Sequence, residues 1–277
     1  MKVISFINMK GGVAKTTLAI NIADCLSRQH AASVLCVDID PQFNATQCLM
    51  DPDAYVSHVQ QGGSTIINVF DRSRRARVGV VDGTTNEEPR PLDSIEPILV
   101  RERLELLPGA LDLYRLEMAP GDGRENRLRI FLERVAEDKY DYVIIDTPPT
   151  PSIWMTSALI ASQYYVIPVR PDPISLTGID LLRNIVQEKT ENFGLSIKCA
   201  GVVLTVVETN TLVYTNAVSS LSQNRIWKDQ LFHQHLAKRT EVARLQLNQE
   251  LILDSDNQEL KLALASITRE LLERIGG

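Results

Sequence analysis

A short apolar stretch, Val3–Asn8 (VISFIN), runs into a glycine pair and then into a helical pattern. No other part of the chain constrains the fold as strongly. From Lys15 to Arg28 the residues Leu18, Ile22, Cys25 and Leu26 fall on one helical face. A strand that ends in a glycine turn and opens a helix is an anion site, because free backbone N–H groups and the helix dipole both favour negative charge there. Gly11 and Gly12 let the backbone approach closely, with no Cβ in the way. Lys15 can reach outer phosphates, and the Thr16 hydroxyl can ligate Mg2+. A Gly-Gly turn alone arises by coincidence; the strand before it and Lys15-Thr16 after it decide for phosphate. The ordinary loop pattern, G-x-x-x-x-G-K-[ST], asks for glycine where this chain has Met9 and Ala14, and Lys10 is an addition to it. Ala14 is a mild departure if its φ is negative, since only a positive φ makes a Cβ costly.

The remaining pattern repeats strand and helix. SVLCVDID, YDYVIIDTPP, YYVIPVRP and KCAGVVLTVV are apolar almost throughout, as strands buried on both faces should be. Helical patterns lie at roughly Arg124–Glu137, Ile174–Glu188 and Thr211–Gln223, and from Glu259 a helix carries Leu260, Leu264, Ile267, Leu271 and Ile275 on one stripe. The expected fold is α/β: a P-loop NTPase-like, mostly parallel sheet with helices on both faces. The 277 residues, 44% hydrophobic, suffice for one such domain over 1–277. Asp51–Pro108 reads as a less regular insertion, in which RSRRAR and DGTTNEEPRP suggest a solvated excursion, the arginines of RSRRAR being next in line for a DNA face, and LELLPG returns to the sheet. The four cysteines show no paired metal spacing; Cys25 and Cys36 read as packing residues. No apolar run reaches the roughly 18 residues that span a bilayer. VISFIN is too short for a signal-peptide core, so a cytoplasmic location is expected. A formal charge of −6 argues against a protein coated in nucleic acid, though not against one local basic face.

In an open α/β sheet, ligands sit beyond the carboxyl ends of the strands. Asp38, Asp40 and Asp146 occupy such ends. KGGVAKTT, DIDPQFNAT and VIIDTPP, in this order, resemble the ParA family of deviant Walker A ATPases, and the likeness continues through TIINVF, LELLPGALDL, IPVRPDPISLTGIDLL and GVVLTVV. The resemblance implies ATP and Mg2+ as cofactors, with Lys10, Gly11, Gly12, Val13, Ala14, Lys15, Thr16 and Thr17 as the nucleotide-binding set. It implies that Lys10 reaches across an ATP-sandwich homodimer to the partner's nucleotide. Asp40 then orients the attacking water, so that Lys10, Lys15 and Asp40 are the catalytic residues. Thr16, Asp38 and Asp146 are the metal group, and Thr147-Pro148-Pro149 matches the second switch. Phosphoryl transfer needs little base catalysis, so slow turnover without a partner is expected.

The family resemblance also implies a ParB-like or other DNA-binding adaptor, non-specific DNA, and nucleoid association. Here the sequence departs from the pattern. Relatives carry DNA-contacting arginines after an LLT strand and after an Ile-Pro-Arg element; those positions fall near Asn210 and Glu241, and Leu236-Ala237 replaces the Ile-Pro pair. The nearby cations Lys228, Lys238, Arg239 and Arg244 are candidates for a phosphate-binding face, or equally for a solvated helix surface. Two other readings share the engine: a ParA-like ATPase that positions a protein cargo, and a MinD-like membrane ATPase. The second needs a basic amphipathic tail. SITRELLERIGG mixes Arg269 and Arg274 with Glu270 and Glu273, so no membrane partner is expected. A nitrogenase-type reductase would need cluster cysteines after the switch regions, and none stands there.

Overall fold

The computed structural model describes residues 1–72, 75–79, 83–87, 89–118 and 123–276, with backbone only for 75–79, 83–87 and 173–176. The chain runs β1 (Lys2–Phe6), α1 (Lys15–His30), β2 (Val34–Asp38), α2 (Asn44–Leu49), α3 (Pro52–Gln60), α4 (Ile66–Phe70), β3 (Arg75–Gly79), β4 (Gly83–Glu87), β5 (Ile98–Arg101) and β6 (Leu104–Leu107). It continues α5 (Leu113–Glu117), α6 (Arg127–Phe131), β7 (Tyr142–Asp146), α7 (Ile153–Ala161), β8 (Tyr164–Val169), α8 (Pro173–Phe193), β9 (Lys198–Val207), α9 (Leu212–Gln223), β10 (Leu236–Ala237), α10 (Thr240–Leu247) and α11 (Gln258–Ile275). Eight strands form one sheet in the order β10-β9-β8-β1-β7-β2-β6-β5, and β3-β4 is a separate antiparallel pair. All pairings in the large sheet are parallel except β5 with β6 at the edge.

Alternation along the central strands explains their continuous apolar sequence. Ile4, Phe6, Val34, Cys36 and Ile144 face a core built with α1 and α11. Val3, Leu35, Val37, Val143 and Ile145 face the opposite core, against α4, α6 and α7. Both faces are therefore covered, which is the usual condition of a parallel sheet. Farther along, α8 and α9 pack on β8 and β9 around Ile179, Leu182 and Leu221.

The expected helices form, with informative differences at their ends. α8 begins at Pro173, where proline is tolerated because the first N–H of a helix has no partner in any case. The span expected at Arg124–Glu137 divides into a 3-10 turn at Arg124–Asn126, α6, and a π turn at Leu132–Ala136. The wide turn leaves Leu128, Leu132 and Ala136 all buried. In the 51–108 segment β6 pairs with β2 in parallel, as LELLPG suggests. Ser73, Arg74, Asp82 and Glu88 of RSRRAR and DGTTNEEPRP lie outside the described residues.

The C-terminal stripe Leu260, Leu264, Ile267, Leu271 and Ile275 is buried in the core shared with α1. Arg274 secures that helix: its guanidinium lies 4.4 Å from the Phe232 ring centroid and donates to the Leu231 carbonyl at 2.8 Å. Among the described residues no helix is long and apolar enough to cross a membrane.

A buried charge group joins α1 to the sheet edge. Asp24 is fully buried, with Arg28 at 3.4 Å and Arg101 at 3.9 Å. Both arginines also reach Asp254, at 2.6 and 3.0 Å. Burial pushes the Asp24 carboxyl up to about 6, against the pull of Arg101 and Arg28. With its folded-state pKa raised, Asp24 holds its proton in the native state after the unfolded chain has lost it. Its contribution to stability is therefore complete below about pH 4 and falls as pH rises to about 6, by roughly 3 kcal/mol for the full shift. Replacing Asp24 by Asn should make the decline in unfolding free energy between pH 4 and 6.5 shallower by about 1–3 kcal/mol. Urea denaturation of both proteins at the two pH values measures this, and parallel pH profiles would refute it.

Candidate functional site

β1, β2 and β7 are adjacent, and their carboxyl ends come together, with Asp38 in register beside Asp146. The loop after β1 is pinned from two neighbouring strands. Asn8 Nδ2 donates to the Pro168 carbonyl at 2.7 Å, and Asn8 Oδ1 accepts from the Lys10 N–H at 2.9 Å. Thr205 Oγ1 donates to the Val13 carbonyl at 2.7 Å. Gly12 sits at φ +72°, and a Cβ built on Gly11 or Gly12 would meet nothing within 4 Å. The cradle is thus open on the side where the N-terminus of α1 presents its N–H groups, and no side chain caps that helix.

Ala14 departs from the sequence expectation. A mild cost was conditional on a negative φ, but Ala14 lies at φ 55°, ψ 35°, in the left-handed region. The turn that delivers Lys15 into the helix imposes this geometry, and a Cβ there costs about 1–2 kcal/mol.

Behind the loop lies a buried cluster of charge. Lys15 is only 7% exposed; burial lowers its pKa, while Asp146 and Asp40 pull it upward. Asp146 is fully buried, and its carboxyl is pushed up to about 6 by burial, opposed by Lys15 and the Thr16 hydrogen bond. Thr16 Oγ1 donates to Asp146 Oδ2 at 2.6 Å, whereas Asp146 Oδ1 is buried without a hydrogen-bond partner in good geometry among the described residues, the Thr147 N–H adding only a weak pull on the carboxylate. A hydroxyl and an orphaned carboxylate oxygen at a phosphate loop fit Mg2+, which keeps most of its ligands as water and phosphate oxygens.

Asp38 is placed differently from Asp146. Its Oδ2 accepts from both the N–H and Oγ1 of Thr46, each at 2.8 Å, and its Oδ1 takes the Asp40 N–H at 3.3 Å. Thr46 Oγ1 also accepts from the Gly109 N–H at 2.8 Å. Burial and then Asp146 raise the Asp38 carboxyl, while Thr46 opposes the shift. Asp38 lies beside the metal position, but its oxygens already hold α2 and the loop after β6. Asp40 is buried at 4% exposure, accepts from the Gln42 N–H at 2.9 Å, and has its pKa raised by burial. It lines a cleft of about 280 Å3 between Asp40–Gln42 after β2 and Pro148–Ser152 after β7, the latter overlapping the expected second switch.

Two contacts have no strong signal in the sequence. Lys10 Nζ is held by both oxygens of Asp172, at 2.8 and 2.9 Å. An aspartate just beyond the carboxyl end of a strand, in RPDP, was the available clue. Gln246 Nε2 in α10 donates to Thr17 Oγ1 at 3.0 Å, and nothing in its neighbourhood pointed to the loop.

Three of the candidate DNA cations stand beside carboxylates. Lys238 meets Glu208 at 2.6 Å, Arg239 meets Glu259 at 2.8 Å, and Lys228 is 3.9 Å from Asp229. Arg244 is exposed on α10, with no ion pair among the described residues. Glu241 accepts from Asn257 at 2.9 Å.

A family model described as an AAA domain matches residues 1–198. A ParA family protein of Chlamydia trachomatis is 35% identical over 205 residues, 71% of this chain and 69% of its own length. The sporulation initiation inhibitor protein Soj of Bacillus subtilis is 34% identical over 212 residues, 76% of this chain and 74% of Soj. The chain belongs to the ParA family. A crystal structure of a putative plasmid partition protein of Borrelia burgdorferi bound to AMPPNP matches with a TM-score of 0.74 at 21% identity, covering 99% of this chain and 98% of that one. At that identity the match speaks to the fold, which is the P-loop NTPase architecture of ParA proteins.

In this ParA-family chain the strained Ala14 is directly testable. Ala14→Gly should raise the unfolding free energy by about 0.5–1 kcal/mol, because relief of left-handed strain exceeds the entropy added to the unfolded chain. A melting temperature about 2–4 °C higher is the upper end of that range for a domain this large. Calorimetry without nucleotide reads it; a lower melting temperature would show that the loop does not hold Ala14 at positive φ.

Proposed function

We propose that this chain is a Mg2+-dependent ATPase that dimerises on ATP and partitions DNA. The observation that carries the ATPase reading is the orphaned, buried Asp146 Oδ1 beside Thr16 at the mouth of an open glycine loop. Lys15 and the N–H groups from Gly11 to Thr17 bind the phosphates. Thr16 and Asp146 would hold Mg2+, with Asp38 as the neighbour that fixes the geometry of the loop carrying Asp40. The metal, when bound, neutralises charge on the transferring phosphoryl group. Asp40 accepts a hydrogen bond from the attacking water and aligns it. Its raised pKa, a consequence of burial, is moderated by Lys15 and the Gln42 N–H.

Lys10 stands outside the ordinary loop pattern and acts across the dimer. Two ATP molecules face to face carry concentrated negative charge, and one lysine from each side offsets it. In the single chain Lys10 is engaged by Asp172, so dimerisation exchanges one anionic partner for another. A centromere-bound adaptor of the ParB kind then stimulates the otherwise slow hydrolysis and releases the dimer from nucleoid DNA. One observation favours a second reading, in which the same engine positions a protein cargo: Lys238 and Arg239 already face carboxylates. The membrane reading lacks a surface, since the apolar stripe of α11 is buried.

Light scattering with ATP, with ADP and without nucleotide tests the sandwich. ATP with Mg2+ should give the dimer mass and ADP mostly the monomer; equal mass in all three would remove the model. Lys10→Ala should keep ATP binding and weaken the dimer, whereas Lys15→Ala should abolish binding.

Asp40→Ala should retain ATP as a persistent dimer, with hydrolysis at least tenfold slower, on the order expected for a lost water-positioning group. Unchanged phosphate release would show that another group positions the water. Asp172→Asn should lower the ATP concentration needed for dimerisation by up to roughly fivefold, the scale of a partly exposed ion pair. A higher requirement would show that Asp172 supports the dimer rather than competing with it.

A further inference from the structure

Arg72, Arg90, Arg127 and Arg134 line one cleft of about 510 Å3, with Asp93 as the carboxylate on its wall. The four come from three separate segments: the end of the α4 loop, the approach to β5, and the α6 region with its π turn. None of them forms an ion pair among the described residues. Two are instead held by neutral acceptors. Arg127 Nε donates to the Val69 carbonyl at 3.0 Å, and Arg90 donates to the Gly62 carbonyl and to Ser64 Oγ. Arg90 and Arg127 are thus fixed in place, with no carboxylate paired to them among the described residues. The crowding is felt electrostatically: burial, then Arg72 and Arg134, lower the pKa of Arg127.

This arrangement contrasts with Lys238 and Arg239, each of which already faces a carboxylate. In a chain of net charge −6, four arginines against one aspartate among the described lining residues concentrate positive charge where an anion relieves mutual repulsion. Guanidinium groups suit phosphate because their planar forks present paired donors. The cleft is also too long for a single phosphate. Arg127 and Arg134 are seven residues apart, roughly 10 Å along a helical axis. Successive phosphates of one DNA strand lie farther apart along the backbone than their axial advance of about 3.4 Å, so the same length reaches about two of them.

We propose that this arginine cleft, rather than the Lys238–Arg239 surface, is the phosphate-backbone contact for duplex DNA. The inference rests on the DNA-partition reading above and supplies its binding face. Contact is to the backbone and carries no base information. An ATP dimer presents two such clefts, so that binding at one raises the effective concentration of the other.

The test titrates a labelled random-sequence duplex with the full chain, ATP and Mg2+ at about 50 and 200 mM salt. The variants are Arg72→Gln/Arg134→Gln, the charge reversal Arg72→Glu/Arg134→Glu, and Lys238→Glu/Arg239→Glu. Arg72 and Arg134 are exposed, so the glutamine pair is expected to fold even if the reversal does not. The glutamine pair should weaken binding on the order of tenfold at low salt and flatten the dependence of log K on log salt by about two contacts. Lys238→Glu/Arg239→Glu should retain the wild-type salt slope, and ATP-driven dimer mass should be unchanged throughout. Wild-type affinity and slope in the glutamine pair overturn the proposal. So does a wild-type ATP dimer that ignores duplex at low salt, an outcome that leaves the sandwich reading standing. A monomer that binds duplex through these arginines keeps the cleft and sinks the sandwich. Stronger competition by poly-glutamate than by unlabelled duplex would replace nucleic acid by an acidic protein partner and overturn the assignment.

Discussion

One ammonium and three carboxylates, all at least nine-tenths buried, meet at the ends of three adjacent strands. Removing Lys15, Asp38, Asp40 and Asp146 from water is costly; Lys15 offsets the cost for Asp146 and Asp40 only in part, whereas Asp38 is raised further by both acids and is opposed only by Thr46. The sheet makes that placement possible. Its two apolar faces bury β1, β2 and β7 almost completely, so that their carboxyl ends are where polar chemistry is gathered. The loops after β2 and β7 and the glycine cradle are arranged around this cluster.

The three acids hold different positions in that cluster. Asp146 has one oxygen on Thr16 and another with no partner, which suits a cation. The carboxylate of Asp38 is engaged by Thr46 and the Asp40 N–H, and so determines where the loop carrying Asp40 lies. Asp40 faces the cleft between the switches and accepts from its own turn. Strand register brings Asp38 and Asp146 together; hydrogen bonding then separates their tasks.

Much of this was legible in the sequence because strand, turn and helix each leave a local periodic trace. The glycine loop, Lys15, Thr16 and the strand-end acids lie within short motifs, and LELLPG signalled its return to the sheet. Long-range pairing leaves no such trace. Asp172 on Lys10 and Gln246 on Thr17 join residues far apart in the chain, and their partners follow only from the folded path. Arg72, Arg127 and Arg134 converge for the same reason, although only the first lay in a conspicuous basic run. The cost of Ala14 stayed conditional for a reason of backbone geometry: the residue type was visible, the sign of its φ was not.

Two glycines differ in what restrains their replacement. At Gly109 a Cβ would lie 2.6 Å from the Phe43 Cβ and 2.9 Å from the Asp38 Cγ, so any side chain must push apart the loop that bears Asp40. At Gly11 the same Cβ meets nothing within 4 Å. Mutational drift at position 109 is stopped by the protein's own packing, before any ligand is involved. At position 11 packing imposes no such barrier, and selection on what the loop binds is the remaining restraint.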